Sequence, residues 1–364
     1  NQVLIKQAKL MASNPSERTI CARLMNDRFA LCLPREEFDE KRVADSVKEL
    51  QREFSGNSFH LHTYMGVYEI RDRDEAVSIM VDKANIAADT IKNNYDCCVA
   101  YYDEHLLEIS IEQRRLLGEF EPALQKGEFV MYLQPQVNRD GAAKGAEALV
   151  RWAHPSRGIL TPYAFIDILE NAGLIYKLDL YIWEKAAQKL AEWKEKGYGS
   201  YHISVNISTK DFYIIDIYET FTGLINKYGI AASNLHLEIT ETTLMTDFEK
   251  NMNIIHKLQN VGFRVEIDDF GSGYSSLNML KDISADVLKI DMGFLRKSEN
   301  EVKGQDILES IITLAGKIGM DVITEGVETK KQLDMLTMMG CHEFQGYYFS
   351  KPVPVSEFEE KYLV

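Results

Sequence analysis

From residue 129 onward the chain repeats one pattern, a short β-branched or apolar run followed by a stretch with helical periodicity. The runs fall at 129–136, 146–152, 202–208, 235–240, 264–269, 287–291, 321–327 and 343–349, and helix-like stretches at 177–197, 247–262, 305–319 and 329–340 separate most of them. Strands that alternate with helices bury both faces of a parallel sheet, and eight such units over roughly 235 residues match the ~250 of a (β/α)8 TIM-type barrel. The link 137–145 is too short for a helical crossover, so the first two strands are expected to be antiparallel neighbours in an otherwise parallel barrel.

The first 111 residues have a different rhythm. Strands are expected at 19–23 and 28–33, forming a hairpin around Met25-Asn26-Asp27, then a helix at 36–54, a strand at 60–70, a helix at 74–93 and a strand at 96–102. The stretch 103–128 reads as a connecting helix. The expected architecture is therefore α/β in two domains: a small α/β sandwich over 1–111 and the barrel over 112–364.

Charge narrows the partners. Of 364 residues, 41 are basic and 56 acidic, for a net charge of −15, which argues against a DNA or RNA polymer or an anionic membrane held by a broad basic surface. An anionic small molecule remains compatible, because a bound divalent ion reverses the sign of a local acidic site. The five cysteines include no Cys-x-x-Cys pair, so neither a disulfide framework nor a zinc ribbon is supported, and a reducing, cytoplasmic setting is expected. No apolar run approaches the ~18 residues of a membrane span. The chain starts at Asn1 rather than Met, which reads as a fragment or processed chain and leaves room for sensor or membrane segments in a longer parent.

In barrels of this kind the C-terminal strand ends form the active face. Those ends carry Glu147 and Arg151, Asn206, Glu238 and Glu241, Asp268 and Asp269, Lys289 and Asp291, Glu325 and Glu328, and Gln345. One acid at a strand end is ordinarily solvated or caps a helix, as expected of Asp247. A convergent set is different, because crowded carboxylates repel one another and lose solvation. A hard divalent cation relieves both, and Asp, Glu and Asn oxygens suit Mg²⁺ or Mn²⁺. Adjacent Asp268 and Asp269 could serve two ions ~3.5–4 Å apart, the arrangement that acts on phosphate esters. The remaining candidates read as structural. Gly271-Ser272-Gly273 fits neither a dinucleotide fingerprint nor a P-loop and is expected to be a mobile loop. His60 and His62 suit a cross-strand polar face. His154, His202, His236 and His342 lack a nucleophile motif. Met335, Met338 and Met339 have helical spacing and suit core packing, and Cys341 suits a buried small hydrophobe.

Together the segments Tyr132-Leu133-Gln134-Pro135-Gln136, Glu147-Ala148-Leu149-Val150-Arg151-Trp152, Asn206-Ile207-Ser208, Glu238-Ile239-Thr240-Glu241, Asp268-Asp269-Phe270-Gly271-Ser272-Gly273, Lys289-Ile290-Asp291, Glu325-Gly326-Val327-Glu328 and Gln345-Gly346-Tyr347 resemble, in order, the EAL domain of cyclic di-GMP phosphodiesterases. The resemblance covers about residues 112–364. It implies metal-dependent hydrolysis of cyclic di-GMP to linear 5′-pGpG by in-line attack of a metal-activated water, with two Mg²⁺ or Mn²⁺ ions. Glu147, Asn206, Glu238 and Asp268 would hold the first ion, and Asp268, Asp269 and Glu325 the second. Lys289 would orient the attacking water, and Glu325 is also the candidate general base; ligand and base remain alternatives for it. Gln134, Leu149, Arg151 and Asp291 would contact the dinucleotide. Glu241 would anchor the 269–274 loop, Glu328 would support its strand end, and Gln345 would bond a metal-bound water. The family also implies a homodimer through the barrel. A catalytically silent cyclic di-GMP receptor, or a barrel phosphohydrolase for another anionic ester, would use the same residues.

The first 111 residues resemble the C-terminal part of a GGDEF diguanylate cyclase domain. Its diagnostic turn here reads Met25-Asn26-Asp27-Arg28-Phe29, without glycines and with Arg28 in place of an acid, and Ser16 and Thr19 stand at the upstream inhibitory site. The resemblance implies a degenerate domain, inactive as a cyclase, that regulates its neighbour or mediates assembly.

Overall fold

The computed structural model describes residues 2–12, 16–54, 61, 63–92, 97–270, 283–291, 293 and 301–363. The expected loop at 271–273 and both His60 and His62 lie outside these residues. The chain divides into two compact units, 1–118 and 119–364.

In the first unit β1 (Ile20–Arg23) and β2 (Phe29–Cys32) pair antiparallel. Asn26 takes the left-handed conformation (φ 55°) at the turn, which a short polar side chain tolerates better than most. β3 (Met65–Val67) and β4 (Val99–Tyr101) pair in parallel, and helix Val77–Asp89 lies in the crossover between them. Gly66 allows that helix close approach: a Cβ there would lie 1.8 Å from the Ala84 carbonyl oxygen. Among the described residues the expected strands 60–70 and 96–102 appear as Met65–Val67 and Val99–Tyr101.

The second unit is a closed barrel. Its strands are β5 (Phe129–Val137), β6 (Ala143–His154), β8 (His202–Ile207), β9 (Leu235–Thr240), β10 (Val265–Phe270), β11 (Val287–Asp291), β12 (Asp321–Glu325) and β13 (Glu343–Phe344), with short added strands β7 (Gly158–Leu160) and β14 (Val353–Pro354). From β6 round to β13 neighbouring barrel strands are parallel, whereas β5 runs antiparallel to both β6 and β13 and closes the ring. The antiparallel first strand is therefore as expected. The Asn138 side chain makes the tight turn between β5 and β6 by accepting the Asp140 and Ala142 amides at 2.9 and 3.0 Å. Outside the ring, Phe120, Phe129, Trp152 and Phe165 pack edge to tilted face, and Trp183 of helix Ile175–Glu195 packs on Phe221.

Some local expectations are corrected. The last strand ends at Phe344 rather than 349, because the chain turns at Gly346 and the Phe349 amide bonds the Gly346 carbonyl at 3.1 Å. Met338 is exposed, since Leu333 and Leu336 form the inward stripe of helix Lys330–Met338. Asp247 stands at the start of helix Phe248–Val261 without a side-chain capping bond, its backbone being at φ −151° and ψ 71°. Cys341 is buried, as expected.

The turn at Gly346 also ties two site segments together. A Cβ there would lie 2.2 Å from the Val327 carbonyl oxygen and 2.3 Å from its amide nitrogen. Backbone atoms cannot yield as a side-chain tip can, so Gly346→Ala is expected to cost about 2–4 kcal/mol in chemical denaturation. A variant as stable as the parent would refute this close packing.

Candidate active site

The inward-facing positions at the C-terminal halves of the strands converge on one ammonium group. Lys289 is fully buried, and its Nζ lies 2.8 Å from Glu325 Oε1, 2.9 Å from Glu238 Oε2, 3.3 Å from Asp268 Oδ1 and 3.4 Å from Glu147 Oε2. Strand pairing sets this convergence: Asn206 is opposite Glu238, Gln134 is opposite Glu147, and Asp291 is opposite Glu325. Asn206 Nδ2 donates to Glu147 Oε1 at 3.1 Å, and Gln345 Nε2 donates to Glu147 Oε2 at 2.6 Å and to Gln134 Oε1 at 3.3 Å. The Asn206 backbone is held in turn by the buried Trp183 indole, whose Nε1 donates to its carbonyl at 2.9 Å.

Asp268 and Asp269 sit at an irregularity of β10. Ile267 pairs with Leu288 and Phe270 with Ile290, so three steps on β10 face two on β11. Asp269 absorbs the extra residue in the left-handed region at φ 56°, a conformation that costs a non-glycine residue about 1 kcal/mol or more. Such a bulge re-aims side chains at a strand end. The Asp269 amide donates to Asp268 Oδ1 at 2.9 Å, and Asp291 Oδ1 accepts the Gly293 amide at 2.6 Å.

The electrostatics show a site short of positive charge. Burial, then the charge on Glu147, pushes the Glu238 carboxyl well above the usual range. Burial raises Glu325 to about 8 despite Lys289, and burial with the Asp268 and Asp291 charges raises Asp269. Burial opposes ionisation of Glu147 too, but Lys289 and the Gln345 and Asn206 hydrogen bonds outweigh it and hold that carboxyl below its usual value. Burial likewise opposes the charge on Lys289, and the four carboxylates outweigh it, led by Asp268. Both buried oxygens of Glu238 lack an aligned hydrogen-bond donor. Hard oxygen donors, unsatisfied lone pairs and uncompensated negative charge are what a divalent cation fits. Glu147, Asn206, Glu238, Asp268, Asp269 and Glu325 could hold such ions.

A pH effect follows for the metal-free protein. A carboxyl raised on folding contributes stability that is complete below its unfolded value near ~4.3 and is lost as pH rises through its folded value. For Glu325 that window runs up to about pH 8. Glu325→Gln is expected to flatten the fall of melting temperature across it and to exceed the parent in stability at the alkaline end. A steeper fall in the variant would contradict the assignment.

Further out, Leu149 and Arg151 follow Glu147 on the same face of β6, and both are half-buried. The Arg151 guanidinium sits 5.4 Å from the centre of the Tyr132 ring, and Nη1 donates to the Val150 carbonyl at 2.8 Å. Glu241 begins helix Glu241–Thr246 directly after β9, and Glu328 precedes Thr329, which caps helix Lys330–Met338. His154 is structural as expected, with its Nε2 2.8 Å from Glu119 Oε2.

Sequence reasoning missed a second polar layer under this site. Two residues before Glu238 and Asp268 on their strands lie His236 and Glu266, with Ser204 and His202 on β8 and Gln136 on β5. Burial opposes ionisation of Glu266, but the His236 hydrogen bond and charge, with Lys289 behind them, bring its carboxyl down to about 2. Burial, then the nearby His236, lowers His202 to about 3. The available signal was the i,i+2 spacing of polar residues in β8, β9 and β10, an inward-facing period.

Residues 118–352 match the family model described as the EAL domain. The chain belongs to the EAL-domain family. It is 30% identical over 365 residues to the bifunctional diguanylate cyclase/cyclic di-GMP phosphodiesterase MucR of Pseudomonas aeruginosa, covering 98% of this chain and 53% of MucR. It is 32% identical over 240 residues to the cyclic di-GMP phosphodiesterase PdeR of Escherichia coli, covering 66% of this chain and 36% of PdeR. The chain thus spans about half or less of the length of these curated relatives. Among solved structures, the cyclic di-GMP complex of the PaMucR phosphodiesterase is similar with a TM-score of 0.64 and 33% identity, covering 67% of this chain and 99% of that one. The (β/α)8 barrel expected from the strand rhythm is the fold observed, and the EAL family is the one the ordered motifs resemble. Among the described residues no helix is long and apolar enough to cross a membrane.

Proposed function

We propose that this chain is a metal-dependent phosphodiesterase that opens one 3′–5′ linkage of cyclic di-GMP and releases linear 5′-pGpG. The observation that carries the reading is the ring of Glu147, Glu238, Asp268 and Glu325 around the buried Lys289, with neither Glu238 oxygen receiving an aligned hydrogen bond. Two divalent ions, Mg²⁺ or Mn²⁺, would stabilise the phosphate charge in the transition state and acidify the attacking water. Glu147, Asn206, Glu238 and Asp268 would hold one and Asp268, Asp269 and Glu325 the other. Lys289 orients the water for in-line attack, and Glu325, 2.8 Å from that ammonium, is placed either to complete the second ion or to take the water's proton. Gln134, Leu149, Arg151 and Asp291 contact the dinucleotide, and the forked Arg151 donors suit a phosphate. Glu241 and Glu328 support the adjoining loop and strand end, and Gln345 holds Glu147 in place.

The first unit is proposed to be a degenerate GGDEF-like domain that regulates the barrel, a reading supported by the alignment with MucR running over nearly the whole chain. A homodimer through the barrel and a cytoplasmic setting, which suits five free cysteines, complete the proposal.

The test is incubation of the full chain with cyclic di-GMP and Mg²⁺ or Mn²⁺, with chromatographic separation of products. Linear dinucleotide that disappears with chelator is expected. Tight binding of the intact ligand with no product in either metal would overturn the enzyme in favour of a silent receptor.

A further inference from the structure

The backbone ladder between β8 and β9 ends one residue beyond the candidate ligands. Asn206 pairs with Glu238 and Ile207 with Ile239. The two chains then part, β8 into the turn before helix Asp211–Ile214 and β9 into helix Glu241–Thr246. Side-chain hydroxyls carry the connection further. Thr209 Oγ1 lies 2.7 Å from Thr243 Oγ1, which lies 2.9 Å from Thr240 Oγ1. Thr240 caps its helix by accepting the Thr243 amide at 3.3 Å, and it stands opposite Asp268 of β10 in register. The Asn251 side chain, buried in helix Phe248–Val261, donates to the Thr243 carbonyl at 2.9 Å.

The amide, hydroxyl and carbonyl of Thr243 are therefore all engaged, in a residue only 1% exposed. A hydroxyl donates one proton and accepts others, so the central hydroxyl can serve both of its neighbours. The Thr209 end is held as firmly. The Ser208 amide donates to Asp211 Oδ2 at 2.8 Å and the Asp211 amide to Ser208 Oγ at 3.3 Å, which closes the turn around Thr209 three residues after Asn206. On its other side the Asn206 carbonyl is held by Trp183.

This connection lies where the site needs one. Like charges crowd the strand ends and push them apart, the ladder there has ended, and a divalent ion of Mg²⁺ size demands closely fixed oxygen positions. We infer that the Thr243 hydroxyl is a clasp that holds the Asn206 and Glu238 strand ends, and the helix that starts at Glu241, at a fixed separation. Thr243 and Thr209 are then positioning residues for the metal site. The metal and activity readouts rest on the phosphodiesterase reading; the clasp itself does not.

Four full-chain variants test this: Thr243→Val, Thr209→Val, the double substitution and Thr243→Ser. Valine keeps the branched shape and removes the hydroxyl, whereas serine keeps the hydroxyl. Thr209 is half-buried, so its variant folds even if the change at buried Thr243 proves costly. In the metal-free protein, Thr209→Val is expected to speed amide hydrogen exchange across Glu241–Thr246 by roughly fivefold, the worth of one hydrogen bond. Thr243→Val should weaken Mn²⁺ binding, followed by calorimetry, and lower kcat by roughly tenfold with KM nearly unchanged, the lower end of what loss of an outer partner costs at a metal site. The double variant should match Thr243→Val instead of multiplying the two losses, because both remove the same bond, and Thr243→Ser should stay within a few-fold of the parent. A purely structural role would lower the melting temperature and leave the Mn²⁺ affinity and kcat of the folded variants at the parent's values, which would overturn the inference. Unchanged exchange across Glu241–Thr246, or a Thr243→Ser protein as impaired as Thr243→Val, would do the same. Should the parent neither bind Mn²⁺ nor hydrolyse cyclic di-GMP, the phosphodiesterase reading fails, while the exchange result still decides the clasp.

Discussion

Replacing Lys289 with methionine is expected to destabilise the metal-free protein by about 3–5 kcal/mol, the usual cost of removing one partner from a buried ionic cluster. Methionine nearly preserves the volume, so the effect is electrostatic. Lys289 is the cation within ion-pair distance of Glu147, Glu238, Asp268 and Glu325 among the described residues. Without it those carboxyls must either ionise against one another or take up protons on folding. Proton uptake on folding makes stability fall as pH rises, so the deficit should be smallest near pH 5 and largest near pH 8 in denaturant titrations. Saturating Mn²⁺ should recover much of it, because a divalent ion supplies the missing charge. Turnover should still drop by roughly 10²–10⁴-fold, the contribution of a positioned proton-handling group. A variant that melts like the parent at both pH values would refute the central place given to this ammonium.

Asp268→Ala is expected to separate stability from activity. Turnover of cyclic di-GMP should fall at least about a thousandfold, corresponding to roughly 4 kcal/mol of lost transition-state stabilisation, and Mn²⁺ binding should collapse with it. The metal-free fold should be as stable as the parent or more so, because Lys289 keeps three partners and a crowded negative charge is gone. Glu147→Ala should abolish turnover equally but is the less clean probe, since it strands the Asn206 and Gln345 side-chain amides that donate to Glu147. Retained turnover in either variant would sink the metal assignment. An Asp268→Ala protein that is inactive because it is unfolded would refute the electrostatic account of the site.

The barrel and its candidate ligands were largely legible in the sequence, and for identifiable reasons. Strands of five or six residues carry their inward positions at every second residue, so polar residues among apolar ones, as in Leu235–Thr240, mark the barrel interior directly. The short link after Val137 required antiparallel pairing of the first two strands. Local readings failed where another force prevailed. The last strand stops after two residues because Gly346 turns the chain against Val327, and Met338 lies outside because two leucines already fill that helix's inner stripe.

The sequence by itself determined the order of strands, the alternation that turns carboxylates inward, and the family to which the chain belongs, because these depend on neighbours along the chain. Tertiary structure alone decided which of those side chains meet. Closing the ring sets the register between strands far apart in sequence, and that register places Lys289 among four acids, Gln345 against Glu147 and Gln136 beside His202. It also stacks His202 on His236 and brings the buried Glu266 within 2.6 Å of His236 Nδ1. No local pattern encodes those distances, and the charge each group carries depends on them through burial and proximity.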